Sequence, residues 1–284
     1  MPAITLRAGN HIDLHLHTTY SDGHWRPAEL FEYLGAAKFS VVAVTDHDTI
    51  DHLDEMRALG VAHGVHVLGG VEVTTNWRGM VAHLLCYADR FTGDALERIV
   101  NQTRQGMEEN TREVLRELER RGYRFPRRTE VLREQGGEAL LPIDNARLLL
   151  EHGDATDLAQ ALEMIADAGY RIISAPLAEA VAAAHASGAV TILAHPGRGG
   201  GEIQQYEPPM VDAMQAEIPL DGIEAYYATH TPEQVVAYTT LAAVRGLMVS
   251  AGSDSHGPRH RYPIAYPAEY AARLLAHCGV EVVS

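Results

Sequence analysis

Short apolar runs alternate along the chain with longer segments whose apolar positions recur at helical spacing. The short runs predict strands over 11–18, 41–47, 65–73, 81–88, 190–195, 222–228 and 247–252. The longer segments predict helices over 27–38, 49–63, 176–187, 231–245 and 267–277. Pro27, Pro176, Pro232 and Pro267 fall near the first turns, where a helix has no use for the missing amide hydrogen. Strand and helix in alternation is the pattern of a parallel α/β fold, and this many steps predict a closed or nearly closed barrel rather than an open sheet.

One stretch breaks the alternation. From about 99 to 170 no strand is convincing, and the sequence is charged and helical over 110–121 and 157–168. It predicts a helical insertion between barrel strands, with long outer helices as the alternative. The expected organisation is a first barrel part over 1–98, an insertion over 99–186 and a second barrel part over 187–284. Gly199, Gly200 and Gly201 read as a connecting loop or a lid.

Polar residues recur where the predicted strands end. In Ile12-Asp13-Leu14-His15-Leu16-His17 the strand alternation sets Asp13, His15 and His17 on the face opposite Ile12, Leu14 and Leu16. Two imidazoles at that spacing can grip one metal ion, and Asp13 can orient a ring from behind. Asp22 follows in a turn. The second strand runs into Asp46-His47-Asp48-Thr49, where Asp48 or Thr49 fits the N-cap of the next helix and His47 has no such explanation. Glu72 and His83 sit inside apolar runs, where each needs a partner. His195, Glu224, Asp254 and His256 complete the pattern.

Each of these alone fits a satisfied polar residue near a strand end. Together, six histidines (His15, His17, His47, His83, His195, His256) and three carboxylates (Asp22, Glu72, Asp254) exceed the needs of one ion. Two or three ions are implied, at the rim where barrel enzymes build their sites. Nitrogen and oxygen donors without thiolates suit Mn²⁺, Zn²⁺ or Fe²⁺.

These motifs carry a family resemblance. Asp13-Leu14-His15-Leu16-His17 with Ser21-Asp22-Gly23, then Thr45-Asp46-His47-Asp48, Gly70-Val71-Glu72, His83, Ala194-His195-Pro196 and Ser253-Asp254-Ser255-His256 follow one another in order. The set resembles the PHP (polymerase and histidinol phosphatase) family, a metal-dependent branch of the amidohydrolase superfamily. The resemblance implies a distorted seven-stranded (β/α) barrel with a cluster of three divalent ions, Mn²⁺ first, with Zn²⁺ or Fe²⁺ as alternatives. Carried over, His15, His17, Glu72 and Asp254 hold the first ion. Glu72 bridges to a second, completed by His83 and His195, and Asp22, His47 and His256 hold the third. Arg198 and His230 match positions of phosphate-binding and catalytic groups; a solvated loop cation and a helix-start polar residue are the plain alternatives. Either His230 or a metal-bound water would protonate the leaving oxygen. His24, His52, His63, His66, His152, His185 and His277 match nothing and are read as surface or packing residues.

Within the family the sequence resembles the bacterial 3′,5′-nucleotide bisphosphate phosphatases and a related 5′-to-3′ RNA exonuclease, which carry a helical insertion at the same place. In that insertion an Arg-Pro-His type of motif is expected, whereas the chain reads Leu141-Pro142-Ile143-Asp144-Asn145-Ala146-Arg147. Arg147 is retained, and Asn145 with Arg147 is the expected substrate-binding pair. The implied reaction is hydrolysis of the 3′-phosphate of a 3′,5′-bisphosphonucleotide by a metal-bridged hydroxide. The alternatives are 5′-to-3′ trimming of short oligonucleotides and another small-molecule phosphatase. A C–N amidohydrolase and a non-catalytic scaffold domain are the rival classes.

Composition narrows these choices. With 46% hydrophobic and 21% charged residues the chain can bury a core, which excludes disorder. No apolar run approaches a membrane span, and residues 1–10 contain Arg7 but no continuous apolar stretch, so no signal peptide is expected. Two cysteines, Cys86 and Cys278, read as reduced buried thiols of a cytoplasmic protein, with a disulfide as the alternative. A net charge of −15 argues against a stable complex with long nucleic acid and does not exclude the small phosphorylated nucleotide that the resemblance implies as partner. Three divalent ions against three carboxylates would leave a local charge of roughly +3, so an acidic chain can still attract a phosphate.

Overall fold

The computed structural model describes residues 4–133, 137–199 and 204–283; Gly200 and Gly201 of the glycine loop lie outside them. In chain order β1 (Ile4–Arg7), β2 (His11–Leu16), α1 (Pro27–Ala36), β3 (Phe39–Val44), α2 (Leu53–His63), β4 (His66–Trp77) and β5 (Met80–Ala88) come first. Helices α3 (Ala95–Arg120), α4 (Arg128–Val131), α5 (Pro142–Glu151) and α6 (Leu158–Asp167) follow without a strand. The chain then returns to alternation through β6 (Ala175–Pro176), α7 (Leu177–Ala186), β7 (Val190–Leu193), α8 (Pro208–Glu217), β8 (Gly222–Tyr227) and α9 (Pro232–Arg245). It closes with β9 (Met248–Gly252), β10 (Tyr266–Pro267), a 3-10 turn (Ala268–Ala271), α10 (Ala272–His277) and β11 (Val280–Val283). Two compact units result: residues up to 100 together with residues from 174 on, and Asn101–Ile173. No helix among the described residues is long and apolar enough to cross a membrane.

The first unit is built on one sheet in the order β10-β2-β3-β4-β5-β7-β8-β9, with β6 added beside β4. The chain just past β9 returns to β2: the Asp254 amide donates to His15 O at 2.8 Å and the His17 amide to Ser255 O at 3.0 Å. The sheet is therefore nearly closed and barrel-like. Each predicted strand segment overlaps an observed strand. Its interior is apolar, with Ile12, Leu14, Val41, Ala43, Leu68, Leu85 and Ile192 fully buried in one cluster. Each large side chain so buried contributes ~2 kcal/mol of transfer free energy. Outside, α1 lays Leu30, Phe31 and Leu34 against Val42, Val44 and Met56. At α9, Thr231 Oγ1 accepts from the Gln234 amide and Gly246 ends the helix in the left-handed conformation.

Three expectations change. The sheet is not all parallel: β5 pairs antiparallel with both β4 and β7. Strand β4 runs on to Trp77 and turns straight back into β5 through Arg78 and Gly79, whose φ values are 52° and 80°, the hairpin geometry that needs two left-handed residues. The strict alternation expected in β2 is interrupted by a register shift between Asp13 and Leu16. Ile12 and Leu14 accordingly join the barrel interior while Leu16 packs with Trp25, Leu30 and Val44. Helix α2 begins at Leu53 rather than 49, and Asp48 does not cap it. Asp48 stands at φ 50°, and its Oδ1 accepts from the Thr74 amide at 3.0 Å, which ties the end of β3 to β4.

The second unit packs Leu115, Leu118, Leu132, Leu148, Leu149 and Ile165 into its own core. Asp157 caps α6 by accepting from the Gln160 amide at 2.9 Å. Both cysteines are buried and free, which removes the disulfide alternative.

Candidate metal centre

The sheet brings six strand-end segments to one rim. His47, just past β3, pairs with Glu72 of β4, and Leu16 at the end of β2 pairs with Ser255 past β9. Antiparallel β5 contributes from its N-terminal half: His83 stands opposite Thr74, at the rim end of β4. A parallel β5 would have carried His83 toward the other end of the barrel.

Glu72 lies at the centre and is buried. Its Oε1 is 3.0 Å from His83 Nδ1 and 3.0 Å from His195 Nε2. Its Oε2 is 3.0 Å from His15 Nε2, 3.1 Å from His17 Nε2 and 3.4 Å from His47 Nε2. Asp254 Oδ1 faces the same histidines, 3.5 Å from His15 Nε2, 3.2 Å from His17 Nε2 and 3.3 Å from His256 Nδ1. Asp22 Oδ1 lies 3.2 Å from His256 Nε2. Among the described residues, three donor groups each fit within 4.8 Å: His15, His17, Glu72 and Asp254; His47, Glu72 and His83; and His17, Asp22, His47 and His256. The first group is wholly buried, and the others open toward solvent through His47, His83, Asp22 and His256.

These residues fit divalent cations. His83 Nδ1 and Asp254 Oδ1 are buried without a hydrogen bond even though oxygen and nitrogen atoms stand close by. Such atoms converge on a shared point rather than on each other, which is what a cation requires of its donors. The electrostatics agree. Burial alone would lower the His15 pKa, but the carboxylates of Glu72, Glu224 and Asp254 outweigh it and hold the ring well above its ordinary value. His17 is likewise pushed up to about 10, burial being overcome by Asp254 and Glu72. The reverse holds for Glu72, where burial is overcome by His15, His47 and His83 and the pKa falls well below its ordinary value. Positive charge is therefore favoured at His15 and His17, whereas burial pushes His47 down to about 4 and lowers His195 as well.

The rim also holds unusual backbone. His195 and Asp254 adopt φ values of 28° and 55°, in a region that non-glycine residues rarely occupy and that clusters at functional sites. Asp13 does not orient a ring from behind, which corrects the expectation from the sequence. It accepts from the amides of His15 and Ser253 through Oδ1 and of Ile264 through Oδ2, which fixes the backbone beneath the ligands.

Arg198 reaches the cluster: Nη1 donates to Asp254 Oδ2 at 3.0 Å. Tyr227, not singled out by the sequence, donates its hydroxyl to the same oxygen at 2.8 Å. His230 has both ring nitrogens engaged with backbone, Nδ1 donating to Ala225 O at 2.9 Å and Nε2 accepting from the Gly197 amide at 3.0 Å. It braces the turn that carries Arg198 and has no free nitrogen for a substrate or a proton transfer in this arrangement. Asn145 and Arg147 lie on α5 of the second unit. Asn145 is buried and its amide nitrogen donates to Thr111 O at 2.9 Å. Sequence reasoning also passed over Asp46 and His52. Asp46 accepts from the Thr18 amide, the Thr18 hydroxyl and the Ser21 hydroxyl, and so holds the turn that leads to Asp22. Buried His52, read from the sequence as a surface or packing residue, stands with its Nε2 3.0 Å from Asp46 Oδ2.

Comparison with known proteins places this geometry in context. The family model described as the PHP domain matches residues 13–171. A 5′-3′ exoribonuclease of Haemophilus influenzae is 28% identical over 250 residues, covering 87% of this chain and 90% of that protein. A 3′,5′-nucleoside bisphosphate phosphatase of Chromobacterium violaceum is 28% identical over 251 residues, covering 87% of each. A solved structure from Bifidobacterium adolescentis superposes with a TM-score of 0.77 at 24% identity over 97% of both chains, a likeness of fold.

Proposed function

The chain belongs to the PHP domain family, and from that premise we propose that it is a metal-dependent phosphoesterase whose preferred substrate is a small nucleotide phosphorylated on both its 3′ and 5′ carbons. The reaction is loss of the 3′-phosphate to leave a 5′-monophosphate. The observation that carries this reading is the division of Glu72: one carboxylate oxygen faces His83 and His195, the other His15 and His17. A carboxylate so placed is suited to bridge two ions, as two-metal phosphatases and nucleases require.

His15, His17, Glu72 and Asp254 would hold the first ion, Glu72, His83 and His195 the second, and Asp22, His47 and His256 the third. When bound, divalent ions supply Lewis-acid polarisation of phosphoryl oxygens and lower the pKa of water to near neutrality. The protein's own contribution lies in orientation. Arg198 is held by Asp254 with a fixed positive charge beside the cluster, where it can bind a phosphoryl oxygen and stabilise charge that grows during transfer. His230 keeps the turn of residues 195–198 in place through the Gly197 amide. Direct contact between His230 and substrate requires that this bond be given up.

A second reading, 5′-to-3′ trimming of oligonucleotides, is favoured by the exoribonuclease of Haemophilus influenzae, as similar to this chain as the phosphatase is. The charge of −15 favours the small substrate, because polynucleotide binding draws on an extended basic track. The test is a comparison of kcat/KM with Mn²⁺ for 3′,5′-bisphosphoadenosine, histidinol phosphate and a 5′-phosphorylated RNA oligomer. The bisphosphate is expected to lead. A clear lead for the oligomer makes the protein an exonuclease.

A further inference from the structure

Glu224 stands on β8 beside the register shift that separates Glu224 from Tyr226, and it is fully buried. It belongs to none of the three donor groups. Both of its oxygens are nevertheless spoken for by residues of the cluster. Oε1 lies 3.0 Å from His15 Nδ1, and Oε2 accepts from the His195 amide at 2.7 Å. Gly252 of β9 closes the space behind: a Cβ there would fall 2.6 Å from Glu224 Oε1 and 2.2 Å from His15 Cβ. One carboxylate thus links the ring of a donor in the first group to the backbone of the imidazole that faces the other oxygen of Glu72.

We infer that Glu224 is a positioning residue for two of the ions, setting the tautomer of His15 and the stance of His195 from behind the cluster. This rests on the metal-dependent reading above. An ionised carboxylate only accepts hydrogen bonds, so His15 Nδ1 carries its hydrogen toward Glu224, which leaves Nε2 as the nitrogen whose lone pair would serve an ion in the metal-loaded site. That lone pair points to where His17 Nε2 and Glu72 Oε2 lie 3.1 and 3.0 Å away. The oxygen on the His195 amide holds that residue at φ 28°, a conformation its own backbone disfavours. Glu224 mirrors Glu72: each has one oxygen toward His15 and the other toward His195.

Glu224→Gln separates these demands. The site asks for two acceptors, and an amide has one. With its oxygen toward His15, the NH₂ group meets the His195 amide, donor against donor. Reversed, the NH₂ group donates to His15 Nδ1, which moves the ring hydrogen to Nε2 and blocks the ligand position. The residues assigned to the third ion, Asp22, His47 and His256, are not among the partners of Glu224 in the described residues, and that ion should be spared.

The experiment challenges metal-loaded wild type and E224Q with a graded chelator and follows ion release and residual metal content. Two ions are expected to leave E224Q at about tenfold lower chelator concentration or less, as losing such an outer partner typically weakens metal binding by about 10–100-fold. One ion should leave as in the wild type, and E224D should recover part of the difference. General loosening would weaken all ions alike, so equal weakening overturns the inference, as does an E224Q that holds its ions like the wild type. Nitrogen-15 spectra of the Zn²⁺-loaded wild type give a second check that needs no variant. Hydrogen on His15 Nδ1 is the expected state, and hydrogen on Nε2 overturns the inference. A wild type that holds no ion removes the metal-dependent reading and this inference together.

Discussion

Arg198 is bound to the very carboxylate that serves the cluster: its Nη1 meets Asp254 Oδ2 at 3.0 Å, while Asp254 Oδ1 faces His15, His17 and His256. One aspartate thereby sets a permanent cation beside the donor residues. Arg198→Ala is expected to lower kcat/KM by ~2–4 kcal/mol equivalent, with metal content kept. Arg198→Lys should fall between the two, because an ammonium lacks the planar fork of a guanidinium. Steady-state kinetics beside elemental analysis checks this, and unchanged kinetics in Arg198→Ala would return the residue to a solvated loop cation.

Glu72→Ala should lower turnover by several orders of magnitude, because on the proposed reading one side chain would serve two ions. Its effect on folding should be smaller than that of Leu14→Ala in the barrel interior, where a truncation costs ~2–5 kcal/mol. Activity above about a tenth of wild type with metals still bound excludes a bridging role.

Asp46 links acid stability to the turn that carries Asp22. Burial pushes its pKa up, but His52, His17 and Ser21 outweigh that and bring it down to about 2, below the ordinary 3.8. A depressed carboxylate stabilises the fold above its unfolded pKa and loses that contribution as pH falls through the folded value. In metal-free protein, Asp46→Asn should therefore cost ~2 kcal/mol at pH 6, with the gap to wild type narrowing from about pH 4 toward pH 2. Urea unfolding at several pH values measures it. A gap that does not change with pH removes the linkage.

Gly79 is the second of the two left-handed residues of the β4–β5 hairpin, at φ 80°, with open space around the position of a Cβ. Gly79→Ala meets no clash and should cost ~1–2 kcal/mol from backbone conformation alone. The urea midpoint should drop while metal content holds. A neutral or stabilised variant contradicts the turn geometry.

The donor residues were legible because polar side chains in apolar runs demand partners, and His15, His17, His47, Glu72, His83, His195, Asp254 and His256 all meet at one rim. Direction was not legible. The strand of His83 runs antiparallel, and the signal for that was the Arg78-Gly79 pair between two apolar runs, weaker than an Asn-Gly turn. The roles of Glu224 and Asp46 depend on which distant backbone amides come within reach, and periodicity in one segment holds no such information. Asp48 shows the same limit: a residue well suited to cap a helix is used to tie two strands together.

The cluster of imidazoles and carboxylates around Glu72 is expected to hydrolyse phosphate esters only when loaded with metal. The most direct measurement is phosphate release from 3′,5′-bisphosphoadenosine by metal-stripped protein before and after reconstitution with excess Mn²⁺, with bound ions counted in the same samples. Negligible turnover in the stripped protein, and activity that rises with two to three ions bound per chain, is the predicted result. Equal turnover in the stripped protein, or saturation with one ion or none, contradicts it.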